Sequence, residues 1–262
     1  MNLEHGRSTV YSSRDPKSDG TCRAVFFDLA GTLIEVQGGL GSQYARIAAQ
    51  FGLETDAKAI DRAFPRALAA AGPMVFAHAQ AGGNVAALEK GFWKDVVRGV
   101  FAQIGMAEMI GAGPTFDRYF EQLFSHFETA DAWTVFPDVI PTLRELKGRG
   151  LVVGLITNFD HRVFALLEAL GLAPLLDSVT IPAIAGAAKP EPRIFEHAAA
   201  RHGLKTSEAI QVGDSVGDDV EGARGAGMLL GVLLDRKERY RDVEGAPRIS
   251  SLAELPPLVP AR

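Results

Sequence analysis

The sequence predicts an α/β fold: a doubly wound parallel sheet with an all-helical unit inserted after its first strand. Three observations predict it. Short runs that are apolar at every position recur along the chain, as expected of strands buried on both faces. Between the later runs, apolar residues recur at helical spacing. Finally, residues 37–135 show helical periodicity throughout and no period-two alternation.

The first run, Ala24-Val25-Phe26-Phe27, stops at Asp28. The later ones are Leu151–Ile156, Ser178–Ile181, Ala209–Val212 and Leu229–Leu234. Val163, Phe164, Leu166, Leu167 and Leu170 form one helical face, and Gly171 stands where that helix would end. Pro192 can open the next helix, with Ile194, Phe195 and Ala198 inward and Gly203 closing it. In the insertion, Tyr44, Ile47, Ala48 and Phe51 share a face, as do Phe92, Val96, Val97, Val100, Phe101 and Ile104. The third such set is Phe116, Tyr119, Phe120, Leu123, Phe124 and Phe127. These aromatics are expected to form the core of the insertion and not a stacking platform. Segment 72–90, rich in Gly and Ala, is expected to be a mobile connection within it. Gly38-Gly39-Leu40-Gly41 is expected to be the hinge by which the chain enters it.

The resulting division is a loosely ordered leader over 1–21, an α/β core over 22–36 and 136–262, and the helical unit over 37–135. The leader is polar, broken by Arg7, Asp15, Lys17 and Asp19, and has no signal-peptide core. A net charge of −5 argues against sequence-independent nucleic-acid binding, which needs a basic face. No apolar run approaches the roughly 20 residues needed to cross a bilayer. The single cysteine, Cys22, excludes a disulfide framework and is expected to be a small buried hydrophobe. A soluble, cytoplasmic protein is therefore expected.

Ligands of doubly wound sheets bind beyond the carboxyl ends of the strands. Polar groups recur there: Asp28 after the first run, Thr157-Asn158-Phe159-Asp160 after the second, and Gly213-Asp214-Ser215 with Asp218 and Asp219 after the fourth. Lys189 precedes Pro190 just ahead of a helix. Asp28 or Asp214 alone reads equally well as a turn or cap residue; the joint pattern does not. Carboxylates gathered in one site repel and raise one another's pKa unless a cation joins them. All-oxygen donors suit Mg²⁺. A carboxylate nucleophile, a divalent cation, a hydroxyl and a lysine can together hold a phosphoryl group and neutralise its transition-state charge. The six histidines offer no ligand pair on one helical face, which argues against zinc. Gly222–Gly227 has dinucleotide-loop spacing but lies at a helix end, where close helix–sheet packing explains it.

Phe27-Asp28-Leu29-Ala30-Gly31-Thr32-Leu33, Thr157-Asn158, Lys189-Pro190 and Gly213-Asp214-Ser215 with Asp218-Asp219 resemble the four ordered motifs of the haloacid dehalogenase-like hydrolase superfamily. The helical insertion resembles the cap of its subfamily IA, and the resemblance covers roughly residues 22–256. Phe92–Arg98 and Asn158-Phe159-Asp160 are similar to the branch of haloacid dehalogenase-like hydrolase domain-containing protein 3. The resemblance implies a flavodoxin-like core, an aspartyl-phosphate mechanism and a small phosphorylated substrate. Asp28 would be the nucleophile, Thr157 and Asn158 would bind the transferring group, and Lys189 would hold it against Asp28. Mg²⁺ would be bound by Asp28, the backbone carbonyl of Ala30 and Asp214, with Asp219 or Asp218 completing or orienting its shell. Partner subunits are left open.

Ala30 departs from the pattern, because family phosphatases usually carry there a second Asp that serves as general acid and base. Such help is worth ~10²–10⁴ in rate. The leaving group could depart unprotonated, as from an acyl phosphate. Asp160, His161, Glu35 or a cap side chain could supply the proton. The scaffold could also serve in binding without turnover. Phosphonoacetaldehyde hydrolases have Ala at this place but need a cap lysine, for which Lys58, Lys90 and Lys94 are the candidates. Haloacid dehalogenases lack the acidic fourth motif, so Asp214, Asp218 and Asp219 count against dehalogenation.

Overall fold

A computed structural model describes residues 21–76, 84–106, 114–240, 243 and 245–260; nearly all of the expected leader lies outside them. The chain begins with β1 (Ala24–Phe27) and, after a turn at Gly31, β2 (Ile34–Val36). Helices α1 (Leu40–Ala49), α2 (Ala57–Ala71), α3 (Val85–Gln103) and α4 (Pro114–His126) follow, and β3 (Trp133–Val135) brings the chain back. The remainder runs α5 (Val139–Gly148), β4 (Val152–Ile156), α6 (Arg162–Ala169), β5 (Ser178–Thr180), α7 (Pro182–Ala185) and α8 (Pro192–Ala200). Then come β6 (Ala209–Gly213), a π-helical turn over Val216–Glu221 continued by α9 (Gly222–Gly225), β7 (Leu230–Leu234) and β8 (Arg248–Ile249).

Six strands form one parallel sheet in the order β5-β4-β1-β6-β7-β8. Its central strand shows why the first run is apolar throughout. Val25 and Phe27 face the core that contains α5 and α6, whereas Ala24 and Phe26 face α8 and α9. Covering both faces with helices leaves no polar position in β1. After β1 the connections build outward through β4 and β5, then cross back to β6 on the other side. β1 is thus the switch point, and the crevice beyond its carboxyl end lies between the loops after β4 and β6.

The insertion is helical, and its aromatic faces are core. Tyr44, Ile47, Ile60, Val97, Phe101, Phe116, Tyr119 and Phe120 are all buried together, and Tyr119 meets Phe101 edge-on at 5.2 Å between centroids. Two local expectations change. Residues 85–90 are not a loose connection: α3 starts at Val85, capped by the Asn84 side chain accepting from the Ala87 amide. Residues 77–83 of that segment lie outside the described residues. A short strand, β3, also stands inside the stretch expected to be purely helical, pairing antiparallel with β2. Three residues are too few to show alternation. This ribbon straddles the expected boundaries, with one strand in the core segment and its mate in the insertion. β8 is likewise too short for a periodic signal.

Gly222–Gly227 serves packing, but the close neighbour is a helix: a Cβ at Gly222 would lie 2.8 Å from Phe195 of α8. Cys22 is fully buried, and burial pushes its thiol up to about 11. Among the described residues no helix is long and apolar enough to cross a membrane.

Candidate active site

Asp28 follows β1 directly, and its amide donates to the Val212 carbonyl of β6, so sheet hydrogen bonding itself fixes the residue (2.9 Å). Lys189 comes from the loop before α8. Its ammonium lies 2.7 Å from Oδ1 of Asp28 and 2.7 Å from Oδ1 of Asp219, and all three side chains are nearly inaccessible. Asp219 also accepts from Gln211 Nε2 at 2.9 Å and from the Ser215 amide at 3.2 Å. Asp214 stands beside them, accepting from Arg239 Nη2 at 2.9 Å. Carboxylate oxygens of Asp28, Asp214 and Asp219 lie within 4.8 Å of one another, the one such group of three among the described residues.

Two glycines permit this approach. A Cβ at Gly31, where φ is +88°, would fall 2.5 Å from Oδ2 of Asp214, and one at Gly213 would fall 2.0 Å from Cγ of Asp219. Every other residue type would force one of the clustered carboxylates out of place.

Burial raises the Asp28 carboxyl to about 7; Lys189 opposes the rise, and Asp219 and Asp214 add to it. Burial raises Asp214 as well, against the hydrogen bond from Arg239, and it raises Asp218. Burial alone would lower Lys189, but Asp219 and Asp28 outweigh it and hold the ammonium well above its ordinary range. One ammonium among three clustered carboxylates leaves negative charge in a low-dielectric site. The donors are hard oxygens without His or Cys, so the cluster fits a small divalent cation such as Mg²⁺.

Asp28, Ala30, Thr157, Asn158, Lys189, Asp214, Asp218 and Asp219 all line one cleft of about 890 Å³. Each site residue expected from the sequence is therefore brought together, though their tasks divide. Asn158 is committed at both ends of its amide: Nδ2 donates to the Lys189 carbonyl at 3.0 Å, and Oδ1 accepts the Lys189 amide at 2.8 Å. It positions the lysine. Asp218 lies outside the trio of carboxylates, and its amide donates to Ser215 Oγ at 3.1 Å.

Two of the groups considered as substitutes for the acid missing at Ala30 are engaged elsewhere. Asp160 is buried, held by the Arg162 guanidinium (2.6 Å) and by the Trp93 indole N–H (2.5 Å). His161 Nδ1 is 2.8 Å from Glu89 of α3, whose carboxyl burial raises. Both contacts tie the loop after β4 to the helical insertion, and the Arg162 guanidinium stacks 3.7 Å from the Phe124 ring centroid. Glu35 does line the cleft, 3.9 Å from Lys237. Lys90 pairs with Glu121 and Lys94 with Asp117, and neither they nor Lys58 lines the cleft. None of the three insertion lysines is therefore in place for Schiff-base chemistry; the lysines that line the cleft, Lys189 and Lys237, come from the core segment.

Sequence reasoning missed Gln211 and Arg239. Gln211 had a visible signal, a lone polar residue inside a buried apolar strand. Arg239 had none, since buried Asp235 folds its loop back by accepting the Arg239 and Tyr240 amides, each at 2.9 Å. Trp93, Trp133 and Phe159 were also missed as walls of the cleft.

A family model described as haloacid dehalogenase-like hydrolase matches residues 22–227. The chain is 30% identical over 237 residues to haloacid dehalogenase-like hydrolase domain-containing protein 3 of Danio rerio, covering 89% of this chain and 95% of that one. It is 35% identical over 137 residues to a glyceraldehyde 3-phosphate phosphatase of Methanopyrus kandleri, covering 52% and 58%. Among solved structures, a phosphatase from Thermococcus onnurineus aligns with TM-score 0.57 at 23% identity, covering 92% of this chain and 99% of that one. A dehalogenase in complex with an intermediate aligns with TM-score 0.68 at 22% identity, covering 92% and 98%. At these identities the structural matches speak to the fold alone.

Proposed function

Because the chain belongs to the haloacid dehalogenase-like hydrolase family, we propose that it is a Mg²⁺-dependent phosphatase acting on a small phosphorylated molecule through Asp28. The observation that carries this reading is the Lys189 ammonium, 2.7 Å from both Asp28 and Asp219, beside Asp214 at the switch point of the sheet. A lone buried carboxylate would be a poor nucleophile, because its raised pKa keeps it partly protonated at neutral pH. Lys189 opposes that shift, favouring the carboxylate form, and its hydrogen bond to Oδ1 aims the group.

In the proposed reaction a carboxylate oxygen of Asp28 attacks phosphorus and the bond to the leaving oxygen breaks. The aspartyl phosphate is then hydrolysed by water, restoring the carboxylate and releasing inorganic phosphate. Thr157 would donate its hydroxyl to the transferring group, and Lys189 would offset charge on its oxygens. Asp28, the Ala30 carbonyl and Asp214 would hold Mg²⁺, with Asp219 or Asp218 ordering its waters; when bound, the ion neutralises charge on the phosphoryl oxygens. Residues 37–135 would act as a cap over the strand ends, excluding bulk water and shaping substrate choice. The relatives named as phosphatases support the reaction class.

Phosphate release from a panel of acyl phosphates and phosphate esters tests the proposal. Asp28→Asn is expected to lower kcat at least ~10³-fold, since the amide cannot form the intermediate. Turnover that survives in that variant would remove the nucleophile assignment. Mg²⁺ binding without turnover of any substrate would favour a binding role on the same scaffold.

A further inference from the structure

We infer that the substrate is an aryl phosphate, a phosphomonoester of a phenol with an uncharged apolar ring; this rests on the phosphatase reading above. Two independent features of the cleft converge on it.

The first is the apolar part of the cleft wall. Trp93, Trp133, Phe159, Phe64 and Leu40 line both the catalytic cleft and a smaller apolar pocket of about 70 Å³ that adjoins it. Neither indole has a donor to offer. The Trp93 N–H is committed to Asp160 at 2.5 Å, and the Trp133 N–H to the Phe127 carbonyl at 3.1 Å. Both present only ring surface, which favours apolar and aromatic contact. The polar groups of the cleft stand apart from these rings: Asp61 accepts the Gly41 amide at 2.7 Å, Glu35 faces Lys237 at 3.9 Å, and Arg239 donates to Asp214 at 2.9 Å. A polyol or sugar phosphate would bury hydroxyls against rings that cannot hydrogen-bond them, which is costly. A flat hydrocarbon ring meets no such cost. The cleft, about 890 Å³, has room for one or two fused rings in addition to the phosphoryl group.

The second feature is Ala30, which lines the cleft and has no proton to give. Asp160 and His161 are held by Arg162, Trp93 and Glu89. With no acid at position 30 and these two groups engaged, the site favours a leaving oxygen that can depart with its electron pair unprotonated. A phenol, with pKa about 10, does so far more readily than an aliphatic alcohol, about as weak an acid as water near 15.7. An aryl group answers both features, supplying the ring the wall accepts and the oxygen the missing acid demands. The bookkeeping closes. The Asp28 carboxylate forms a bond to phosphorus, and the phosphorus–aryl-oxygen bond breaks with its pair on oxygen. The phenolate later takes a proton from bulk water. A second water then attacks the aspartyl phosphate, its two protons ending on dihydrogen phosphate as the carboxylate is restored.

The test is kcat/KM of the wild-type enzyme with Mg²⁺ for phenyl phosphate, 1-naphthyl phosphate, glycerol 3-phosphate and acetyl phosphate. Phenyl phosphate is expected to exceed glycerol 3-phosphate by at least ~10²-fold, the lower end of what an absent general acid costs. Naphthyl phosphate is expected to improve on phenyl phosphate through KM. Acetyl phosphate, a better leaving group without a ring, is expected to show the higher KM. Phe64→Leu, which removes a ring without removing a hydrogen bond, is expected to raise KM for naphthyl phosphate several-fold, and by a larger factor than it raises KM for acetyl phosphate. Glycerol 3-phosphate or acetyl phosphate outperforming both aryl esters in kcat/KM would overturn the inference, yet leave the phosphatase reading intact. Phosphate release from none of the four overturns both.

Discussion

Replacing Lys189 by Met isolates the electrostatics of the site, and its consequence can be worked from the geometry. In the native protein one buried ammonium sits 2.7 Å from each of two buried carboxylates, with Asp214 close by. Met keeps most of the volume and removes the charge. Breaking a buried ion pair by deleting one partner costs about 3–5 kcal/mol, because the remaining charge is stranded. Here two carboxylates lose a partner, so the upper half of that range is expected without a divalent cation. The cost depends on pH in a definite direction. Burial raises Asp28 to about 7 in the folded protein, far above its value in the unfolded chain. The native fold therefore binds a proton that the unfolded chain releases, and its stability falls as pH rises between about 4 and 7. Without Lys189, which opposes that shift, the folded value moves higher still and the decline extends above pH 7. The deficit of the variant should be smaller at pH 5.5, where Asp28 is protonated in both proteins, and larger at pH 8.5. Urea unfolding with a chelator, followed by circular dichroism at both pH values, measures it. A deficit below about 1 kcal/mol at both, or one larger at pH 5.5, would refute the placement of Lys189 between ionising carboxylates.

Other consequences follow from the same contacts. Gly213→Ala puts a Cβ 2.0 Å from Cγ of Asp219; about 1–3 kcal/mol of destabilisation and at least tenfold lower kcat are expected, checked by thermal melting and phosphate release. Arg162→Met leaves buried Asp160 without its guanidinium partner; a loss of about 3–5 kcal/mol is expected in urea unfolding. Mg²⁺ at a hundred times its dissociation constant should stabilise the fold by about 2.7 kcal/mol, some 5–10 °C in Tm by calorimetry. Asp214→Asn should abolish most of that gain, and an undiminished shift would place the cation elsewhere.

How far the sequence reached is plain from particular residues. The run Ala24–Phe27 was apolar at all four positions because helices cover both faces of β1, a requirement local enough to be visible without coordinates. The chemistry at the strand ends was visible for a related reason: in a parallel sheet every strand points the same way, so residues following successive strands converge on one rim. Asp28, Thr157, Asp214 and Asp219 were legible on that ground, and Lys189 through the motif it shares with the family.

What the sequence determined, then, was which groups gather at the rim and that Ala30 leaves one of them out. Only the tertiary structure decided how each is used. Asn158 looked like a substrate ligand, yet both ends of its amide hold the Lys189 backbone, 31 residues away. Asp160 looked like a substitute acid, but Trp93, 67 residues away, and Arg162 bury it. The indoles of Trp93 and Trp133 carry no site signal in the sequence; their N–H partners in the fold leave them presenting bare rings to the cleft. Periodicity and turn chemistry act over a few residues and can be read along the chain. Which donor meets which acceptor across a cleft depends on distances between segments far apart in sequence, and only the folded packing sets those.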